Sequence, residues 1–265
     1  MILRGKILTL SRAIDWDEDR ALSMEFWRAF RQSDPGYWAG PGAALFGRHD
    51  PAQGPVLISH ESLHDHNPFR GDGPPAGMER EPAVLAGRLA AIARHAWPHG
   101  TLKAWFFFRR QAEWLASIYA HSCWQLPDPS QQDFEQRTRA LLATPSARIL
   151  DHALLLETLG AALGPHNVLA LPYEELREPA TWDRIRAFTG IADLAAGVDF
   201  SDRSVNVKRR PGEEVWRVTR RATTLSGGTI ALPPDLARAV GDAFAPANRR
   251  LAAMIGRDLA ALGYW

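Results

Sequence analysis

The chain has 265 residues and a formal net charge of +1, from 31 Lys and Arg against 30 Asp and Glu. This balance excludes a general electrostatic attraction to nucleic acid or to an anionic membrane, so an anion site must be a local cluster. A single cysteine, Cys123, excludes an intramolecular disulfide and a cysteine tetrad for zinc, and no apolar run approaches the ~20 residues that span a bilayer.

Helix-like and strand-like patterns alternate in the first third of the chain. Residues 17–33 place apolar side chains on one helical face, and the Gly- and Pro-rich residues 34–55 indicate a loop. Residues 55–63 open with the β-prone run VLIS and then turn polar, which favours a buried parallel strand whose end faces a ligand. Residues 64–82 form a second Gly- and Pro-rich loop.

The rest of the chain continues this alternation. The predicted elements are a helix at 83–97, a strand at 101–108, helices at 111–124, 131–143 and 147–163, a strand within 167–176, a helix at 180–191, a basic loop at 201–215, and a long helix or helix pair at 234–262. Strands that alternate with helices predict an α/β fold with a parallel sheet covered on both faces, in a single domain.

Polar side chains follow three of the predicted strands, and ligands of open α/β sheets bind beyond the carboxyl ends of the strands. These side chains are His60 and Glu61, Arg109 and Arg110, and Tyr173 with Glu174 and Glu175. An arginine at a strand-to-helix turn presents its planar fork to a phosphate beside the amides of the helix start, and Ser117 adds a hydroxyl about two turns later. The structural alternative is that both arginines pair with Glu113 or with surface carboxylates and that Ser117 is a small packing residue.

The sequence RRQAEWLASIY, residues 109–119, resembles the 3′-phosphate-binding motif of PAPS-dependent sulfotransferases. In that motif a strand ends in Arg and a Ser follows eight residues later, before an aromatic residue. The form resembles bacterial sulfotransferase-like proteins associated with polysaccharide modification. Further segments are similar in order and spacing, namely VLISHESL, the stretch from ILDHALLLE through LPYEEL to RAFTGI, SVNVKRRPG, and the C-terminal LPPDLARAVGDAFAPANRRLAAMIGRDL.

The resemblance covers residues 55–265 and leaves residues 1–54 as a divergent N-terminal segment. It implies a P-loop-like three-layer fold, with a central parallel sheet flanked by helices. It also implies transfer of a sulfuryl group from PAPS to a hydroxyl or amine of a carbohydrate or small metabolite. No metal and no nucleic-acid partner are implied, and a cytoplasmic protein is expected.

By the same resemblance, Arg109 and Ser117 hold the 3′-phosphate of PAPS. One or more of Lys208, Arg209 and Arg210 reach its phosphates; the alternative is that these three form a solvated basic turn. Transfer also needs a base for the acceptor's proton. Either Glu61 or His60 fits that role, and Glu61 is favoured because it matches the family's Ser-Glu pair, although a loop hydrogen bond explains it too.

The acceptor site is expected in the two Gly- and Pro-rich loops. By residue type, Trp38 and Phe69 are candidates for stacking against a sugar, and His64 and His66 for hydrogen bonding to it. A lone His-x-His pair is a weak metal signal, so these histidines are interpreted as loop residues.

The family's glycine-rich turn, Gly-x-x-Lys-x-Gly-Thr-Thr, has no counterpart in residues 1–50. Either the chain begins after the family's first strand and this turn, or the protein is a divergent member that binds nucleotide or glycan without transferring sulfate. The first explanation predicts poor solubility or stability, because loss of a mid-sheet strand leaves its neighbours' ladder groups unpaired. A nucleotide kinase is disfavoured because no G-x-x-x-x-G-K-[ST] motif is present.

Overall fold

Helices form most of the regular structure in the part of the chain that this computed structural model describes. The described residues are 6–9, 29–31, 36–40, 56–59, 67–71, 76–95, 98, 100–194, 215–219 and 226–265. The α-helices within them are α1 (Gly36–Ala39), α2 (Glu81–His95), α3 (Gln111–Ser122), α4 (Gln131–Leu142), α5 (His152–Leu163), α6 (Pro179–Thr189) and α7 (Pro234–Ile255). Short 3-10 segments occupy Met78–Arg80, Cys123–Gln125, Pro145–Leu150, Pro165–Asn167 and Tyr173–Glu175.

The strands of the described ranges form three two-stranded sheets. Strand β1 (Lys6–Thr9) pairs antiparallel with β2 (Val56–Ser59), β3 (Ala104–Phe108) pairs parallel with β4 (Val168–Pro172), and β5 (Val215–Thr219) pairs antiparallel with β6 (Ser226–Ala231). The protein is therefore an α/β protein, mostly helical in these ranges, with a small parallel sheet.

The strand expected within residues 55–63 is present, but its predicted parallel pairing is wrong. In the β1–β2 pair Lys6 lies opposite Ser59 and Thr9 opposite Val56, which is an antiparallel register. A short β-prone run predicts that a strand forms, but it carries no information about the direction of the neighbouring strand.

Helices cover both faces of the β3–β4 pair, as predicted for a parallel sheet. Successive strand residues point to opposite faces. Phe108 is buried in one cluster with Ala153 of α5 and Leu251 of α7. On the other face, Leu171 is buried in a cluster with Ile185 of α6. The two strands therefore lie between helices α5 and α7 on one side and α6 on the other.

Capping side chains set the start of two helices. The Ser130 hydroxyl accepts a hydrogen bond from the amide of Asp133, the third residue of α4. The Asp151 carboxylate accepts one from the amide of Leu154 and so begins α5. The single helix predicted at 147–163 is wrong at its start, because Asp151 has an extended backbone and separates the 3-10 segment Pro145–Leu150 from α5.

The β5–β6 hairpin was not predicted. Its Trp216, Val218 and Ile230 side chains are buried in the largest core cluster, together with residues of α3, α4 and α7. The loop predicted at 201–215 lies outside the described residues except for Val215, which begins β5.

The long C-terminal helix predicted at 234–262 is present as α7, but it ends at Ile255, because Gly256 adopts a left-handed backbone at φ +63°. The helix predicted at 17–33 falls outside the described residues except for 29–31, where Ala29 and Phe30 are helical and buried. None of the described helices has the length and apolar character needed to cross a membrane.

Candidate anion site at the strand ends

The carboxyl ends of β3 and β4 meet at one edge of the parallel pair. Phe108 lies opposite Pro172 in the register, so the residues that follow the two strands are neighbours. Arg109 and Arg110 follow β3, and the 3-10 turn Tyr173–Glu175 follows β4. Helix α3 begins directly after the arginines, with Arg110 at its N-cap position. Two guanidinium groups therefore lie at a helix N-terminus, where the helix dipole favours anions.

Arg109 is fixed by contacts with Glu113 and Tyr173. Its Nη2 donates a hydrogen bond to Glu113 Oε2 at 2.9 Å, and its guanidinium lies over the Tyr173 ring, 5.3 Å from the centroid. The Arg109 side chain is 24% exposed, so it is partly accessible to a ligand. No hydrogen bond joins its Nε or Nη1 to any other described residue. Arg109 therefore has an ordered side chain with donors that no described residue uses.

Arg110 joins the start of α3 to the turn after β4. Its Nη2 pairs with Glu113 Oε1, and its backbone N–H donates to Glu174 Oε1 at 3.4 Å. Its Nε lies 3.5 Å from the same Glu174 oxygen but without the geometry of a hydrogen bond. The formal charges of these two arginines and two glutamates cancel. The structural alternative for the arginine pair, ion pairing with Glu113, is thus confirmed.

Ser117 lies one turn beyond Glu113 on α3 and is partly buried. Residues four apart share a helix face, so Ser117 and Glu113 point to the same side of α3. Because Arg109 reaches along the helix to Glu113, its guanidinium lies on the path from the strand end towards Ser117. Arg109 therefore contacts the residue that lies one turn before Ser117 on the same helix face.

His152 supports the backbone of Arg109 from the first residue of α5. Its Nε2 lies 3.1 Å from the Arg109 carbonyl oxygen, and its ring packs against Phe108 at 5.4 Å. Since a carbonyl oxygen only accepts hydrogen bonds, Nε2 must carry the proton. Burial lowers the pKa of His152 from 6.5 to about 4, because the imidazolium would lose its hydration. His152 is therefore neutral near pH 7 and acts as a donor to the β3–α3 turn.

Glu175 is the most deeply buried charged group of this edge. Its side chain is 4% exposed and accepts hydrogen bonds from Arg184 of α6, at 2.6 Å, and from Arg257. Two guanidinium groups thus offset one carboxylate. The arrangement ties the turn after β4 to helix α6 and to the segment after α7.

Five of the predicted site residues fall outside the described part of the chain. They are His60 and Glu61, expected as the base, and Lys208, Arg209 and Arg210, expected to reach the phosphates. Their roles stay predictions. Arg109 and Ser117 are the predicted site residues that the structure describes, and their role in binding phosphate also stays a prediction.

Two aromatic residues expected at the acceptor site are buried in the core, so that prediction is wrong. Trp38 is 1% exposed and belongs to a cluster with Leu85 of α2. Phe69 is also 1% exposed and packs edge-on against Tyr119, with ring centroids 5.3 Å apart. Large aromatic rings bury much apolar surface, and this gain favours core positions even within Gly- and Pro-rich segments. His64 and His66 lie outside the described residues.

Three residues of this edge were missed by sequence reasoning: His152, Glu175 and Tyr264. Weak signals existed, since His152 follows the capping Asp151 and Glu175 is the second acid of the YEEL turn. Neither signal identifies a partner. Tyr264 lies next to the C-terminus, where no local pattern indicates burial.

Comparisons of this chain with protein-family models, with curated proteins and with solved structures give no match.

Proposed function

We propose that this protein is a PAPS-dependent sulfotransferase that transfers a sulfuryl group to a hydroxyl or amine of a carbohydrate or small metabolite. The observation that carries the proposal is the position of Arg109. It follows a parallel strand, precedes the helix that carries Ser117, and has an ordered fork with donors that the described part of the chain leaves unused. The β3–β4 pair, covered by helices on both faces, would then be part of the central sheet of a P-loop-like three-layer fold.

Phosphate binding suits the chemistry of this edge. A guanidinium fork offers parallel N–H donors that match two phosphate oxygens, and the start of α3 adds backbone donors and a favourable dipole. The charge balance sets a condition, however. Because Glu113 and Glu174 balance the charges of Arg109 and Arg110, a dianionic phosphate needs further cations for tight binding. Lys208, Arg209 and Arg210 are the residues that we propose for this role.

The sulfuryl transfer itself would use groups outside the described residues. We propose Glu61, or His60 in its place, as the base that takes the proton of the acceptor hydroxyl or amine. Arg109 and Ser117 would hold the 3′-phosphate and so fix the nucleotide, without contacting the group that is transferred.

A second candidate is a non-catalytic protein that binds nucleotide or glycan on a degenerate or truncated sulfotransferase fold. Two observations favour it. The 265 residues contain no Gly-x-x-Lys-x-Gly-Thr-Thr turn to hold the 5′-phosphosulfate. In addition, the ion pair with Glu113 gives Arg109 a structural role that needs no ligand.

Calorimetric titration with 3′,5′-adenosine bisphosphate separates these possibilities. The Arg109→Ala variant should bind about 10- to 100-fold more weakly than the wild type, because it loses hydrogen bonds to a charged phosphate. Ser117→Ala should weaken binding less. Arg109→Lys should recover part of the affinity, since it keeps the charge but not the fork. The matched control is Arg139→Ala, which breaks the surface pair with Asp235 and should bind like the wild type.

A transfer assay with labelled PAPS and a panel of sugars and amines then decides about catalysis. Sulfate transfer that is lost in Glu61→Gln or His60→Gln supports the enzyme. Nucleotide binding without transfer to any acceptor supports the second candidate. If the wild-type chain does not bind 3′,5′-adenosine bisphosphate, the assignment of Arg109 and Ser117 fails.

A further inference from the structure

The segment after helix α7 folds back over the carboxyl edge of the β3–β4 pair. We call residues 256–265 the C-terminal clasp. Leu259 and Tyr264 anchor it, since they are 0% and 2% exposed and belong to the same core cluster as Phe108. Arg257 adds the ion pair with Glu175. The clasp therefore contacts the ends of both parallel strands.

The Tyr264 hydroxyl lies between the two strand ends. It is 2.7 Å from Glu174 Oε2 and 3.2 Å from the carbonyl oxygen of Phe108, the last residue of β3. A hydroxyl has one proton to donate. The Glu174 carboxylate is closer and is a stronger acceptor than the Phe108 carbonyl, so Tyr264 donates mainly to Glu174. Burial and the neighbouring Glu174 charge raise the pKa of Tyr264, which keeps this donor protonated. Glu174 in turn accepts the backbone N–H of Arg110.

A second chain of hydrogen bonds joins the clasp to the start of α3. The backbone carbonyl of Tyr264 accepts from Asn248 Nδ2 at 3.0 Å. Asn248 is 0% exposed and exchanges two side-chain hydrogen bonds with Gln111, at 2.8 and 3.1 Å. Gln111 is the first residue of α3, and its Nε2 also donates to the carbonyl of Leu150. All four side-chain N–H groups of this amide pair are thereby used, which makes it a rigid connection.

Gly263 brings the clasp directly against Arg110. Its backbone has φ +77°, and a Cβ at this position would lie 3.3 Å from Arg110 Nη1. Glycine therefore permits both the left-handed turn and the close approach of the clasp to the guanidinium.

We propose that Tyr264 is a positioning residue for Arg109 and Arg110. Its hydroxyl fixes the Arg110 amide through Glu174 and makes a weaker contact with the end of β3, while its carbonyl fixes the first residue of α3 through Asn248. The two arginines lie between these fixed points, so the clasp sets the position of their backbone and the direction from which Arg109 leaves it. The effect on ligand binding rests on the proposed function, whereas the effect on the Arg110 amide does not.

The test compares two tyrosine variants of the 265-residue chain. Tyr264→Phe removes the hydroxyl that binds Glu174. The matched control, Tyr119→Phe, removes a buried hydroxyl that donates to Asp133 at 2.8 Å in the core cluster formed by α3 and α4. The measurement is the hydrogen-exchange rate of the Arg110 amide, followed by NMR. We expect this rate to rise about tenfold more in Tyr264→Phe than in Tyr119→Phe. We expect the affinity for 3′,5′-adenosine bisphosphate to fall about 3- to 10-fold in Tyr264→Phe.

A purely structural role would lower the melting temperature of both variants without this difference at Arg110, and that result overturns the proposal. If the wild type binds no nucleotide, the proposed function fails, and the exchange measurement alone decides about the clasp. Should Tyr264→Phe not fold, Glu174→Gln replaces it. An Arg110 amide that exchanges at the wild-type rate in Glu174→Gln then overturns the proposal.

Discussion

Replacing Glu175 by Gln tests whether a buried carboxylate holds the turn after β4 in place. The substitution keeps the size of the side chain but removes the charge that Arg184 and Arg257 share. It also places an amide NH₂ group where an acceptor is needed, so one of the two guanidinium groups faces a donor. The expected result is a loss of stability with the fold retained.

The magnitude follows from the burial of the three side chains. Removing one partner of a fully buried ion pair costs about 3–5 kcal/mol, and a hydrogen bond to a charged group contributes about 1.5–3 kcal/mol. Glu175 is 4% exposed, but Arg184 and Arg257 are 34% and 38% exposed, so both arginines recover part of their hydration. We therefore expect a loss of about 2 kcal/mol, which in a chain of this length lowers the melting temperature by roughly 4–8 °C.

Thermal and urea denaturation of Glu175→Gln, followed by circular dichroism, measure this loss. The matched control is Asp235→Asn, the same carboxylate-to-amide change in the Arg139–Asp235 pair, whose side chains are 50% and 67% exposed. The control should not differ measurably from the wild type. If both variants shift the midpoint equally, the burial of Glu175 does not determine its contribution, and the reasoning is refuted.

Two further predictions concern stability. Because burial depresses the pKa of His152 to about 4, the unfolded chain takes up a proton below about 6.5 that the folded chain does not, so the free energy of unfolding should fall as pH decreases from about 6.5 to about 4. His152→Gln keeps an N–H donor but cannot titrate, so it should flatten this decrease in a series of urea denaturation curves at different pH. The control is His121→Gln, at an exposed residue, which should not flatten it. Equal slopes of unfolding free energy against pH in the two variants would contradict the prediction. Gly263→Ala should lower the free energy of unfolding by about 1 kcal/mol or more, and Gly256→Ala by less, because both glycines have positive φ but a Cβ at Gly256 meets open space. Equal losses of stability in urea denaturation would show that the contact of residue 263 with Arg110 does not matter.

Elements that depend on neighbouring residues were predictable from the sequence. The aromatic run before Arg109 forms strand β3, and helices α2, α3, α4 and α6 lie within a few residues of their predicted limits. The Arg109–Glu113 pair was also foreseen as an alternative, because residues four apart meet on a helix face. Gly190, with φ +77° at the end of α6, is a local stop signal of the same kind.

Features that depend on distant partners were not predictable. Glu175 binds Arg184, nine residues away, and Arg257, 82 residues away, and nothing near Glu175 in the sequence indicates either contact. Trp38 and Phe69 lie in Gly- and Pro-rich segments of the sequence, yet tertiary packing buries them. Strand β5 of the β5–β6 hairpin does show an alternating pattern, since the buried Trp216 and Val218 flank the exposed Arg217. The pattern is short and directly follows a polar, basic segment, which favoured a loop.

Ion pairing of Arg109 and binding of a phosphate are compatible uses of one side chain. A guanidinium has five N–H donors, and the contact with Glu113 uses one of its nitrogens. Tyr173 covers the flat face of the group, so its edge stays available. Glu113 thus orders the fork before a ligand arrives, which lowers the entropy cost of binding, but it also cancels the positive charge that attracts the ligand. An anion site built this way gains orientation from β3, α3 and the clasp, and it must take its excess positive charge from another segment. For that reason the proposed function depends as much on residues 208–210 as on Arg109.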